Sequence, residues 1–234
     1  MQTLERALVE RLGPDVRKRL AIEARHDAHA DALPSRLFDY KEWYRTPGVI
    51  RGCLRLVGML ARARRSALDI RIVENELPIV GLDAEFDGFT LLHLSDLHVD
   101  INETFLPVLI ERLRSVDYDV CVMTGDYRSK TYGPIDATLA GMQRIRAVLK
   151  DPIFGVLGNH DSVRLLPPLE AMGMRMLVNE STTIRRGDAS LQLVGIDDAH
   201  YFRLDDIPKV ASKMSRGVAS ILLSHSPEIY RQAA

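Results

Sequence analysis

From residue 90 onward, short apolar runs alternate with longer helical stretches, and this alternation constrains the fold more than any other feature of the chain. The runs "TLLHLSD", "YDVCVMTGD" and "PIFGVLGNHD" are separated by helical patterns over 103–116 and 136–149. Strands that alternate with helices of this length predict an α/β layered sheet fold built from βαβ units, with mostly parallel pairing. Four later runs, "MRMLVNE", "STTIRR", "SLQLVGIDD" and "VASILLSHSPE", add further strands.

Several of these runs end on a residue that can ligate a metal. Asp96 and His98 follow "LLHLS", Asp126 follows "VCVMTG", Asn159 follows "FGVLG" and His225 follows "ILLS". In α/β sheets ligands bind in the crevice outside the carboxyl ends of the strands, so four strands deliver candidate ligands to one edge. Asp96 and His98 stand two residues apart, and on an extended segment that spacing puts both side chains on one side. The two oxygens of Asp126 can bridge two cations, Asn159 offers an amide oxygen and His225 an imidazole nitrogen. Such a mixed set suits manganese, iron or zinc better than an all-oxygen calcium or magnesium cage. Taken alone, each residue reads as a turn residue, a helix cap or an ordinary histidine. Their joint occurrence at successive strand ends is what carries the metal reading. Of the other histidines, His93 is expected in the core or between layers, His200 in a loop that overhangs the site, and His26 and His29 on a solvent-facing helix.

In this order and context, "SDLH", "TGD", "GNHD" and "SHSP" resemble the motifs of the calcineurin-like metallophosphoesterases, over roughly residues 70–234. The resemblance implies a metal-dependent hydrolase of phosphate mono- or diesters that uses two divalent cations and water as the nucleophile. It implies that Asp96 and His98 bind the first ion, that Asp126 bridges both, and that Asn159 and His225 bind the second. His160 would contact the scissile phosphate and protonate the leaving group, while Asp161 would orient His160 and favour its protonated form. "GDYRSK" and "GNHD" stand where the Ser/Thr protein phosphatases carry "GDxVDRG" and "GNHE", which argues against protein dephosphorylation.

The family's final Gly-His-x-His motif is absent, since the chain stops at "PEIYRQAA". One expected ligand for each ion goes with it, and the expectation is a fragment of a longer enzyme. The rival reading is a non-catalytic or impaired module that keeps the fold and holds a phosphate or a partner in the strand-end crevice.

Upstream of the sheet, Leu4, Leu8 and Leu12 recur at helical spacing, Gly13 and Pro14 interrupt, and a more polar helical stretch follows. The segment "PGVIRGCLRLVGMLARARR" then mixes apolar residues with five arginines, and it is too short and too charged to span a bilayer. Two readings compete for it: a helix packed on the domain with its arginines in water, and a basic amphipathic helix over 48–65 lying on an anionic membrane surface. The second would make the protein peripheral to a membrane and its phosphate-ester substrate lipid-linked, as in the related UDP-2,3-diacylglucosamine hydrolases. Alternation at Ile70, Ile72 and Val73 predicts a strand, so the division expected is a helical extension over 1–66 and a phosphoesterase domain over 67–234.

With 31 basic and 32 acidic residues the net charge is −1, which gives no reason to expect nucleic acid as a partner. Cys53 and Cys121 lie in unrelated contexts, so no disulfide is expected and a reducing compartment fits. The first residues carry charges throughout and offer no apolar signal segment, which makes the cytoplasm the default location.

Overall fold

The structure is a computed structural model and describes residues 2–31, 47–101 and 103–233. Among the described residues four helices come first: α1 (Gln2–Leu12), α2 (Val16–Asp31), α3 (Pro47–Leu56) and α4 (Leu60–Leu68). Then follow β1 (Leu91–Leu94), α5 (Phe105–Arg114), β2 (Val120–Met123), α6 (Asp136–Arg146) and β3 (Ile153–Gly155). The remainder is α7 (Leu166–Ala171), β4 (Arg175–Met176), β5 (Glu180–Arg186), β6 (Ala189–Gly195), α8 (Ile207–Ala211), β7 (Ser220–Leu223) and α9 (Tyr230–Ala233).

Strands β1 to β4 pair in sequence order and wholly in parallel, with Leu91 opposite Val120 and Cys121 opposite Ile153. A second sheet holds β6 in its centre, antiparallel to β5 and parallel to β7. The unbroken apolar run of β2 reflects burial on both faces, which is the rule for a covered parallel sheet. Cys121 and Met123 face a core built with Leu109 and Leu113 of α5, Met142 and Ile145 of α6, and Leu169 of α7. Val120 and Val122 face the other way, and join Phe154, Val156, Leu193 and Leu223 between the two sheets. Beyond the second sheet, Val194 and Ile196 pack against Val210 of α8 and Ile229. Helices, sheet, sheet and short helices therefore stack as layers.

Helices α1 and α2 lie on this body, with Leu8 and Val16 inside the main core and Arg11 paired with Glu170 and Glu180. The expected strand around Ile70 does not form. Residues 69–79 join neither sheet and leave Ile72 and Val73 exposed, while Ile70 alone packs against the core. Alternating polarity makes a strand only where a neighbouring backbone completes the ladder, and among the described residues no strand accepts this one. The sheet thus begins at Leu91.

The basic segment is likewise two short helices rather than one, broken at Gly58, whose φ of 68° lies in the left-handed region. Its apolar residues divide: Val49, Ile50, Leu56, Val57 and Met59 are exposed, while Leu54, Leu60 and Leu68 are half-buried and α4 lies against α5. No helix among the described residues is long and apolar enough to cross a membrane.

Candidate metal centre

Four strand ends converge on one place. Past the end of the β1–β2 ladder the two chains stay aligned, with the Asp96 N–H donating to the Gly125 carbonyl (3.1 Å) and the His98 N–H to that of Asp126 (3.0 Å). Asp96, His98 and Asp126 all sit at positive φ, 53°, 40° and 55°, where side-chain-bearing residues are uncommon and costly unless the surroundings hold them. The segment after β1 is therefore not extended. Asp96 and His98 converge because each bends the chain in the left-handed sense, which replaces the strand alternation expected from their spacing.

The glycines of the two motifs make the convergence of Asp126 and Asn159 feasible. Gly125 has φ 93°, and a Cβ built on it would stand 2.3 Å from the Gly158 nitrogen. A Cβ on Gly158 would stand 2.2 Å from Asp126 Oδ1. Only bare backbone lets the loops after β2 and β3 approach this closely. The same Oδ1 accepts the His160 N–H at 2.9 Å, tying the buried Asp126 carboxylate to the second loop.

Three imidazoles share one arrangement. Nδ1 meets a backbone carbonyl in each: Arg128 for His98 (2.7 Å), Ser129 for His160 (2.5 Å) and Thr124 for His225 (2.8 Å). A carbonyl can only accept, so each Nδ1 carries a hydrogen and each neutral ring turns its Nε2 lone pair to the centre. Nε2 of His98 and of His160 lies 3.9 Å from Asp126 Oδ2, and Nε2 of His225 lies 3.5 Å from Asp126 Oδ1. His225 Nε2 also lies 2.9 Å from Asn159 Oδ1. With the neutral tautomer, three acceptor atoms of His225, Asn159 and Asp126 face one another, an arrangement that a cation stabilises.

Two donor groups result, His98 with Asp126 and His160, and Asp96 with Asp126 and His225, their ligand atoms within 4.8 Å of one another in each group. Asp126 belongs to both. Asp96, assigned with His98 by the resemblance, lies 4.0 Å from His98 Nε2 and also falls in the group of His225. Carboxylate, amide and imidazole together form a donor set that fits a divalent metal of the first transition row.

Asp161 takes a different place from the one expected. Its carboxylate accepts the N–H groups of Asp126 (2.7 Å), Tyr127 (2.9 Å) and Gly158 (2.9 Å) and does not touch the His160 ring. It joins the two ligand loops through their backbones, while the Ser129 carbonyl orients His160. Burial, with the neighbouring Asp126 charge, pushes the Asp161 carboxyl up, opposed by the Gly158 and Arg128 N–H groups and by Arg19.

Further residues enter that periodicity did not flag. Arg19 and Glu23 of α2 are buried and bond to the loop that carries Asn159 and His160. Their spacing of four was visible, but charged residues at that interval read as a solvated helix face. His93 is the exposed residue of β1, not a core residue, and bonds the Thr124 hydroxyl at 2.8 Å. His200 pairs with Glu228 at 2.6 Å, and His26 bonds the Tyr201 hydroxyl; the side chain of His29 lies outside the described residues.

A family model described as calcineurin-like phosphoesterase matches residues 89–231. YkoQ, a metallophosphoesterase of Bacillus subtilis, is 28% identical over 188 residues, which cover 75% of this chain and 67% of that protein. A Danio rerio transmembrane protein with a metallophosphoesterase domain is 23% identical over 201 residues, 79% of this chain but only 45% of that protein, so the chain spans less than half of it. The solved structure of Haemophilus influenzae NAD nucleotidase aligns at 17% identity with a TM-score of 0.44, over 62% of this chain and 36% of that one. The matched span 89–231 takes in more than half of the 234 residues, all seven strands and the whole donor cluster from Asp96 to His225, and the chain belongs to the calcineurin-like phosphoesterase family.

Proposed function

We propose that this chain hydrolyses phosphate mono- or diesters with two divalent cations, manganese, iron or zinc, held at the strand-end cluster. The observation that carries the reading is Asp126, one buried carboxylate common to both donor groups. Asp96 and His98 would hold one cation, Asn159 and His225 the other, and Asp126 both. When bound, such cations lower the pKa of water and neutralise charge on the phosphoryl oxygens.

The protein's own residues supply orientation and a proton. Thr124, Arg128 and Ser129 lend carbonyls that fix which nitrogen each imidazole presents. His160 holds Nδ1–H against Ser129, which fixes the ring with Nε2 turned to the centre, the atom from which a proton would pass to the departing ester oxygen. The test is a series of aryl phosphate esters of graded leaving-group acidity, assayed with manganese. His160→Asn is expected to lose ~10²- to 10⁴-fold on poor leaving groups and much less on good ones. Equal loss on all esters would remove the acid role. Failure of the unaltered chain to hydrolyse any ester with any of the three metals would favour a phosphate-holding module without catalysis.

We propose in addition that residues 48–65 contact an anionic lipid surface, which would make the protein peripheral to the cytoplasmic face of a membrane and its ester substrate lipid-linked. In support, residues 47–68 carry five arginines and no acidic residue, and Val49, Ile50, Leu56, Val57 and Met59 among them are exposed. Basic side chains near such a surface contribute about 1 kcal/mol each, screened by salt. Flotation with phosphatidylserine vesicles should show binding that weakens at high salt and with Arg51→Gln and Arg55→Gln. Equal binding to phosphatidylcholine vesicles, or none to either, would overturn this contact.

A further inference from the structure

The inner face of α2 is charged where an amphipathic helix is normally apolar. Arg19, Glu23 and Asp27 recur every four residues and so form one stripe. Arg19 and Glu23 are buried, and burying either ion costs several kcal/mol unless fixed partners replace its water.

The partners fall on the ligand loop. Arg19 donates through Nη2 to the carbonyls of Gly158 (3.2 Å) and Asp161 (2.8 Å). It also pairs with Asp197 and Glu23 and lies 4.0 Å over the Phe202 ring. Glu23 accepts the Ser162 hydroxyl (2.5 Å) and the Val163 N–H (2.8 Å). The two residues whose carbonyls Arg19 grips, Gly158 and Asp161, flank Asn159 and His160. Holding the backbone on both sides of this dipeptide sets the direction of both side chains, and a displacement of 1 Å at such a place is enough to disturb a site.

We propose that Arg19 and Glu23 are positioning residues, and that α2 acts as a strap across the loop 158–163 which keeps Asn159 and His160 aimed at the metal centre. Both lie upstream of the family-matched residues 89–231, so the strap is supplied by the N-terminal helices. The proposal rests on the metal reading of the cluster, and its test has one arm that does not need metal.

The experiment compares Arg19→Met, Arg19→Lys and Glu23→Gln in the full chain with Arg11→Met, which breaks the pairs to Glu170 and Glu180 away from the loop. Manganese affinity is read by calorimetric titration, amide hydrogen exchange over 158–163 in the metal-free protein, and stability by thermal melting. Arg19→Met should weaken manganese binding by about 10- to 100-fold, as loss of an outer-shell partner does, and speed exchange at the loop. Arg19→Lys should show a smaller loss in the same direction, because one ammonium cannot span both carbonyls and Asp197. Glu23→Gln, which keeps an acceptor for Ser162 and Val163, should be the mildest. Arg11→Met should lower the melting temperature with manganese affinity and loop exchange unchanged.

Wild-type affinity and loop exchange in Arg19→Lys and Arg19→Met would overturn the proposal, as would equal loss in Arg11→Met. If Arg19→Met does not fold, Arg19→Lys and Glu23→Gln decide. Should the unaltered chain bind no manganese, the metal reading fails, and the exchange arm still tells whether the strap holds the loop.

Discussion

The backbones of Gly125 and Gly158 meet so closely that a Cβ on Gly125 would lie 2.3 Å from the Gly158 nitrogen. This contact joins the loops after β2 and β3, and through them Asp126 to Asn159. On the other side, a Cβ on Gly158 would lie 2.2 Å from Asp126 Oδ1. Gly158→Ala is therefore expected to push the carboxylate aside, cost about 1–3 kcal/mol as overpacking does, and lower bound metal. Gly52→Ala, at a helical glycine with open space around it, should do neither. Urea denaturation and metal analysis read both variants, and a Gly158→Ala protein with normal metal content would contradict the account.

Asp126 should be the least replaceable ligand, because it is the one side chain shared by both donor groups. Asp126→Asn removes its charge from both, whereas Asn159→Ala removes a neutral oxygen from one. Metal per chain, measured by elemental analysis after gel filtration, should fall further in Asp126→Asn. Full retention of metal by that variant would contradict bridging.

The two thiols should differ sharply in reactivity. Cys53 is exposed on α3, while Cys121 is buried in β2, where burial pushes its thiol up to about 12. The thiolate is the reactive form, so a disulfide reagent near pH 8 should titrate one thiol per native chain and two after denaturation. Rapid reaction of both in the native protein would show that β2 is not covered as described.

Asp27 gives a pH dependence with a definite sign. Burial raises its carboxyl pKa, but the Gly133 N–H and Arg164 outweigh this, so the net shift is below the ordinary carboxylate value. A lowered folded-state pKa gives stability that is present above the unfolded value and lost as pH falls through the folded one. For a partly exposed pair the effect is screened, about 0.5–1 kcal/mol. The stability gap between the unaltered chain and Asp27→Asn should be constant from about pH 5 to 8 and close below about pH 4. A gap that widens on acidification would reverse the assignment.

The sequence by itself determined the α/β class and the seven strands of the described residues, because burial on both faces leaves continuous apolar runs, and it put the candidate donors where each run stops and its chain leaves the sheet. It misplaced what depends on a partner. Ile70, Ile72 and Val73 had the period of a strand and no ladder to join, and 48–65 had the composition of one helix and a break at Gly58. Asp96 and His98 had the spacing of neighbours on a strand face, yet they converge through left-handed backbone that is tolerated only because the aligned loop after β2 holds it. Most of all, only the tertiary structure decided the place of Arg19, Glu23 and Asp161. A charged residue on a helix or a loop faces water unless the fold brings it fixed partners, and here those partners stand well over a hundred residues away from Arg19 and Glu23 along the chain, on the loop that ends β3.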